Sequence, residues 1–139
     1  MLALLLAVAL AQHDLIDEPV VRDFSRLLAK ASLADRSREH GAFVVRAPNG
    51  TLYFVMWPPG DTRHLLKWYG AFPEGTVAIL HTHPGGMPEP SKLDRRTARR
   101  TGLPVYVITP GRITRTTGGE TTIVAVRWFD GEAMPAAGS

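Results

Sequence analysis

His81 and His83, separated by one residue, end the apolar run Val77-Ala78-Ile79-Leu80, and Ser91 and Asp94 follow across a loop of three prolines and two glycines. In an extended strand, residues i and i+2 share a face, so the two imidazoles stand side by side while Thr82 points away. Neutral imidazole is a good zinc donor, and a third ligand must come from elsewhere in the chain. Asp94 is placed to supply it, because the loop 84–90 turns the chain back and Asp94 falls in the first turn of the helix that Ser91 opens. Two histidines and a carboxylate leave a fourth position for water, the arrangement of a catalytic rather than a structural zinc ion. Such an ion lowers the pKa of its water toward about 7. Taken singly the pieces are ordinary. A His-x-His pair is common in solvent, and Ser91 with Asp94 also spells a plain helix start, Ser at the N-cap and Asp at N3. Their joint occurrence behind one apolar strand is what points to a shared ion.

The elements that must hold these residues are legible in outline. Pro19, behind Asp17 and Glu18, suits the first turn of a helix over 19–34, with Val20, Val21, Phe24, Leu27, Leu28 and Ala31 as its apolar stripe. Residues 12–17 read as a polar linker. A strand is expected at 42–46, a tight turn at Pro48-Asn49-Gly50, and a second strand at 51–56 that Trp57-Pro58-Pro59-Gly60 ends. Residues 61–75 show no clean period and read as loop. Val77 to His81 forms a short central strand, residues 92–101 a helix closed by Gly102, and strands follow at 105–109, 112–116 and 122–128. The tail from Gly131 reads as loose. This order predicts a mixed α/β (α+β) domain, a sheet packed against helices.

The string His81-x-His83, seven residues, Ser91-x-x-Asp94 resembles the signature of the JAMM metalloprotease family, also called the MPN+ or JAB domain. The resemblance covers about residues 18–128, within a domain expected over 18–130, and implies a curved mixed β-sheet packed against helices, with zinc held by His81, His83 and Asp94. It also implies cleavage of peptide or isopeptide bonds. The family further requires an upstream glutamate, which Glu39 matches, with Glu18 as the substitute because the Glu-x-Gly spacing fits only in part. A carboxylate there accepts the proton of the attacking water and passes it to the leaving amine. By the same resemblance the Ser91 hydroxyl donates to the oxygen of the tetrahedral intermediate. The short stretch between Glu39 and His81 leaves no room for long ubiquitin-gripping insertions, so a prokaryotic-type peptidase acting on a peptide or protein is expected. Trp57, Trp68, Tyr69 and Met87 are candidates for its substrate groove, with core packing the stronger reading for the tryptophans. The rival readings are a non-catalytic binding module of the same fold, an amidase for a small amide, and a toxin or effector domain.

Composition narrows the classes further. With 45% hydrophobic and 21% charged residues the chain is an ordinary globular domain. The absence of cysteine removes disulfides, thiolate ligands and a thiol nucleophile. The charge of +3 is small, and Arg95, Arg96, Arg99 and Arg100 spread over more than one helix face, which does not favour nucleic acid. They read as a solvated face or as recognition of an acidic partner or substrate terminus. Residues 1–11 are apolar and uncharged and end in Ala9-Leu10-Ala11, the form of a leader with a signal-peptidase site. That implies a periplasmic or secreted protein; the alternative is a buried first helix in a cytoplasmic one. Eleven residues are too short to span a bilayer core of about 30 Å, so no stable membrane insertion is expected. Self-association is left open.

Overall fold

The computed structural model describes residues 13–57, 71–83 and 85–129. Within them, strands β1 (Gly41–Arg46), β2 (Leu52–Met56), β3 (Thr76–Thr82), β4 (Val105–Ile108), β5 (Arg112–Thr116) and β6 (Thr121–Val126) form one sheet in the order β2-β1-β3-β4-β5-β6. Helix α1 (Pro19–Ala34) precedes the sheet, and helix α2 (Lys92–Thr101) connects β3 to β4. That connection is a crossover, so β3 and β4 run parallel while all other neighbours are antiparallel. The β1–β2 turn is tight because Gly50 takes φ 87° and Asn49 Oδ1 accepts the Thr51 N–H at 3.0 Å. The ladder register shifts at Val44/Val45 and at Ile113/Thr114. The mixed α/β architecture expected from the sequence is the one observed.

The two helices take opposite faces of the sheet. Val44, Ala78, Leu80, Tyr106, Ile108 and Ile113 pack under α1, whereas Phe43, Val45, Ile79 and Val105 pack with Trp57 under Ala98 of α2. Strand β3 is buried on both sides, which is why its sequence is an unbroken apolar run rather than an alternation. Helix α1 buries Val21, Ser25, Leu28 and Ala29, but Val20 and Leu27 are exposed. At 3.6 residues per turn these two lie on one flank, so the stripe is narrower than its apolar spacing suggested. Ser25 is tolerated inside because its hydroxyl donates to the Val21 carbonyl at 2.8 Å.

Two segments differ from the sequence reading. Residues 15–17, read as linker, form a 3-10 turn capped by Asp14, and its Ile16 is fully buried in the α1-side core. Strand β6 stops at Val126, because Arg127 adopts φ 48° and turns Trp128 inward, where its indole donates to the Thr109 carbonyl at 2.7 Å. Among the described residues, no helix is long and apolar enough to cross a membrane. Residues 1–12, 58–70 and 130–139, which include the leader, most of the irregular loop, Trp68, Tyr69 and the tail, lie outside the described residues.

Gly41 marks the tightest packing near β3. A Cβ built on it would stand 2.4 Å from the Trp57 ring, which itself is buried with its edge against Phe43. Gly41→Ala should therefore lower stability by about 1–3 kcal/mol through overpacking. Its urea midpoint checks this, and an unchanged midpoint would show that the indole moves aside freely.

Candidate metal centre

His81 is the penultimate residue of β3, and its ring points to the α2 side of the sheet, where it is 0% exposed. Its strand partner is Gly41, so the antiparallel ladder holds the residues preceding β1 against the histidines. Thr82 completes that hold from the opposite face. Its N–H donates to the His40 carbonyl at 2.9 Å, and its hydroxyl oxygen accepts the His40 N–H at 2.9 Å. Glu39 is thereby fixed beside the site, with its Oε2 at 4.0 Å from His81 Nδ1. Glu39, His81 and His83 each offer a ligand atom within 4.8 Å of the others. Glu18 is not part of this cluster; it pairs with His13 at 3.2 Å.

Asp94 reaches the same point from α2. It occupies N3 of a capping box, so Ser91 Oγ accepts the Asp94 N–H at 3.0 Å and Asp94 Oδ2 accepts the Ser91 N–H at 2.7 Å. The carboxylate is fully buried, with Oδ1 at 2.9 Å from His81 Nε2 and Oδ2 at 3.2 Å from His83 Nε2. Donors of a tetrahedral zinc site with bonds of about 2.0–2.1 Å stand roughly 3.3 Å apart, close to these separations.

The hydrogen bonds around the rings fix which nitrogens face Asp94. His83 Nδ1 lies 2.9 Å from the Met87 carbonyl and His81 Nδ1 lies 3.3 Å from the Thr82 carbonyl. Carbonyl oxygens only accept, so each Nδ1 carries the hydrogen, and each neutral ring keeps its lone pair on Nε2. Those lone pairs face a carboxylate that also only accepts. His81 Nε2 and Asp94 Oδ1 are both buried without a hydrogen-bond partner despite their short separation. Only extra protons or a metal cation can reconcile three acceptors converging in so dry a place. The donor set therefore fits zinc.

The titration of these groups reflects the same demand. Burial alone would lower the His81 pKa, but its contact with Asp94, the Asp94 charge and then Glu39 raise it above the ordinary 6.5. Burial alone would raise Asp94, but contacts with His81 and His83 and the Ser91 backbone hold its carboxyl far below the usual range.

Access is from one side. The His81 and Asp94 side chains are closed off, while His83 is 13% exposed and Glu39 20%. Trp57 walls the other side, its ring near-parallel to His81 at 6.1 Å, so this groove candidate is a buried packing residue that also borders the metal cluster. Met87 is exposed. The hydrogen bond from Thr114 to the Pro88 carbonyl, at 2.7 Å, ties the His83 loop to β5, a long-range contact that no local pattern signals.

A mixed sheet between two helices carries a His-x-His pair at a strand end with carboxylates closing on it, a donor set suited to metal-dependent hydrolysis. Residues 20–127 match the family described as prokaryotic homologs of the JAB domain, and the chain belongs to that family. Neither a curated protein nor a solved structure matches the chain. The JAB domain and its metal-binding cluster together make this a metal-dependent peptidase with a zinc site.

A pH dependence follows. In metal-free protein the raised His81 pKa contributes stability that is complete below about 6.5 and is lost as pH rises through the folded value. The depressed Asp94 pKa contributes stability above about 3.8 that is lost as pH falls toward the folded value. Metal-free protein should thus be most stable between about pH 4 and 6.5 and weaken on the alkaline side. Zinc must displace the His81 proton, so its affinity should rise with pH over the same alkaline range. Thermal melts with and without zinc across pH check both slopes; a zinc shift independent of pH would contradict them.

Proposed function

We propose that this domain cleaves peptide or isopeptide bonds with His81, His83 and Asp94 as the zinc ligands, Glu39 as general base and Ser91 as oxyanion donor. The observation that carries the division of labour is the unequal placement of the two carboxylates. Asp94 is fully buried and touches the Nε2 atoms of both histidines, whereas Glu39 is partly exposed, makes no such short contact with either ring, and still offers an oxygen within 4.8 Å of a ligand atom of each histidine. A ligand wants the first position and a proton carrier wants the second.

When bound, zinc would lower the pKa of water toward about 7 and polarise the scissile carbonyl. Glu39, at the solvent-facing edge, takes the proton of the attacking water and returns it to the leaving amine. Ser91 accepts from the Asp94 N–H through its lone pairs, so its own hydrogen remains available to the oxygen on which charge develops. Asp94, locked by the Ser91 N–H and the helix N-terminus, stays ionised. Trp57 keeps water from the inner side of His81.

Retention of both histidines, Ser91 and Asp94 in one cluster supports an enzyme over a binding module of the same fold. The substrate reading, a flexible peptide, an isopeptide or a processed partner protein, rests on the short Glu39 to His81 interval. Export to a periplasm or beyond rests on the composition of residues 1–11 alone, and N-terminal sequencing of periplasmic protein tests it.

Glu39→Gln should retain zinc, by metal analysis, and lose about 10²- to 10⁴-fold in peptide cleavage. Ser91→Ala should also retain zinc and lose about 10²- to 10³-fold in turnover. Loss of zinc from Glu39→Gln would instead make Glu39 a ligand, and full activity in Ser91→Ala would remove the oxyanion role.

A further inference from the structure

The arginines of α2 play no part in the site described so far. Arg95, Arg96, Arg99 and Arg100 are all exposed, and none forms an ion pair with the described residues. Arg99 and Arg100 lie in the last turn, where they complement the helix dipole, but Arg95 sits too early for that account.

Arg95 and Arg99 are one turn apart and share a stripe of the helix. They wall a pocket of about 60 Å³ completed by the β5–β6 turn, with Thr116, Thr117, Glu120 and Thr121 in its lining. A water-sized group needs about 10–15 Å³ of such space, so a carboxylate with some of its hydration fits. Among the described residues that line it are two arginines and a single acidic residue, Glu120, so the pocket keeps an excess of positive charge. The turn itself is held in shape, since the Thr117 N–H donates to the Glu120 carbonyl at 2.9 Å and the Thr116 and Thr121 hydroxyls meet at 3.2 Å.

The sheet register relates this pocket to the metal cluster. His81 pairs with Val107, Val107 with Thr114, and Thr116 lies two residues further along β5. Two strand spacings of about 4.8 Å and two residue steps of about 3.3 Å place the pocket roughly 12 Å from His81. An extended peptide covers that in about three or four residues.

Resting on the peptidase reading above, we propose that this pocket is an exosite for a carboxylate on an acidic segment of the peptide substrate, about three or four residues from the bond that is cut. Paired guanidinium groups suit a carboxylate. Among the described residues no aromatic side chain lines the pocket, and stacking on aromatics is how single-stranded nucleic acid is usually gripped, so a peptide is favoured over an oligonucleotide.

The test uses the full chain loaded with zinc. In the binding arm, labelled decapeptides containing four Glu or four Gln are titrated against Glu39→Gln protein by fluorescence polarisation. The Glu peptide should bind about 5- to 10-fold more tightly at low salt, and the advantage should shrink as salt rises. Arg95→Ala/Arg99→Ala should abolish the advantage while leaving Gln-peptide binding, zinc content and melting temperature unchanged. In the cleavage arm, a quenched peptide library scanned from Gln to Glu should show a similar gain in kcat/KM at one position about three or four residues from the cut, again lost in the double variant. Equal binding of the Glu and Gln peptides overturns the proposal, as does a preference that survives the double variant. A single-stranded oligonucleotide that outcompetes the Glu peptide at this site overturns it in favour of nucleic acid. The expected binding with no cleavage of any peptide supports the pocket and refutes the peptidase reading on which its role as an exosite rests.

Discussion

At the C-terminal end of β3, two imidazole nitrogens converge on one carboxylate at about hydrogen-bond length, with His81 and Asp94 fully buried and His83 reaching the surface. Each accepts and none can donate in its neutral tautomer, so the arrangement favours positive charge, whether protons on the rings or a metal cation. Most of the surrounding structure serves to hold this arrangement together. The carbonyls of Thr82 and Met87 orient the rings by taking the Nδ1 hydrogens. The Ser91 backbone and the start of α2 keep the carboxylate anionic and immobile.

In the proposed mechanism Asp94 carries two roles at once, helix cap and metal ligand. A helix N3 carboxylate normally turns back to the N-cap backbone, which Oδ2 does here, and that leaves Oδ1 to stand 2.9 Å from His81 Nε2. Helix α2 packs on the face of the sheet that His81 occupies. Crossover from parallel β3 to β4 thus brings the helix N-terminus and the strand C-terminus together, the location where open α/β sheets generally bind ligands.

On the other face, rigidity comes from the N-terminal turn. Asp14 caps the Ile16 N–H, accepts the Tyr106 hydroxyl at 2.9 Å and pairs with Arg115, joining the turn to β4 and β5. Burial, followed by the charge and hydrogen bond of Asp14, pushes the Tyr106 hydroxyl well above its ordinary pKa, so it stays a donor at any physiological pH. Helix α1 adds the stacked Phe24–Phe54 pair, with centroids 4.0 Å apart. A sheet clamped in this way gives the histidines a fixed strand from which to project.

The sequence by itself determined the metal chemistry and most of the elements. The His-x-His period of a strand, the Ser-x-x-Asp period of a helix start and the Asn-Gly turn are local regularities, set within a few residues, so they can be read without knowing the fold. Only the tertiary structure decided what lies across the chain from these residues. Glu39 stands beside His81 because β1 pairs with β3, Trp57 borders His81 because Gly41 leaves room for its ring, and Arg95 faces the β5–β6 turn because α2 crosses that way. The same holds for the burial of Ile16 and the exposure of Val20 and Leu27. These facts depend on pairings between residues far apart in sequence, which local propensity does not encode and which packing settles only when the whole sheet is assembled.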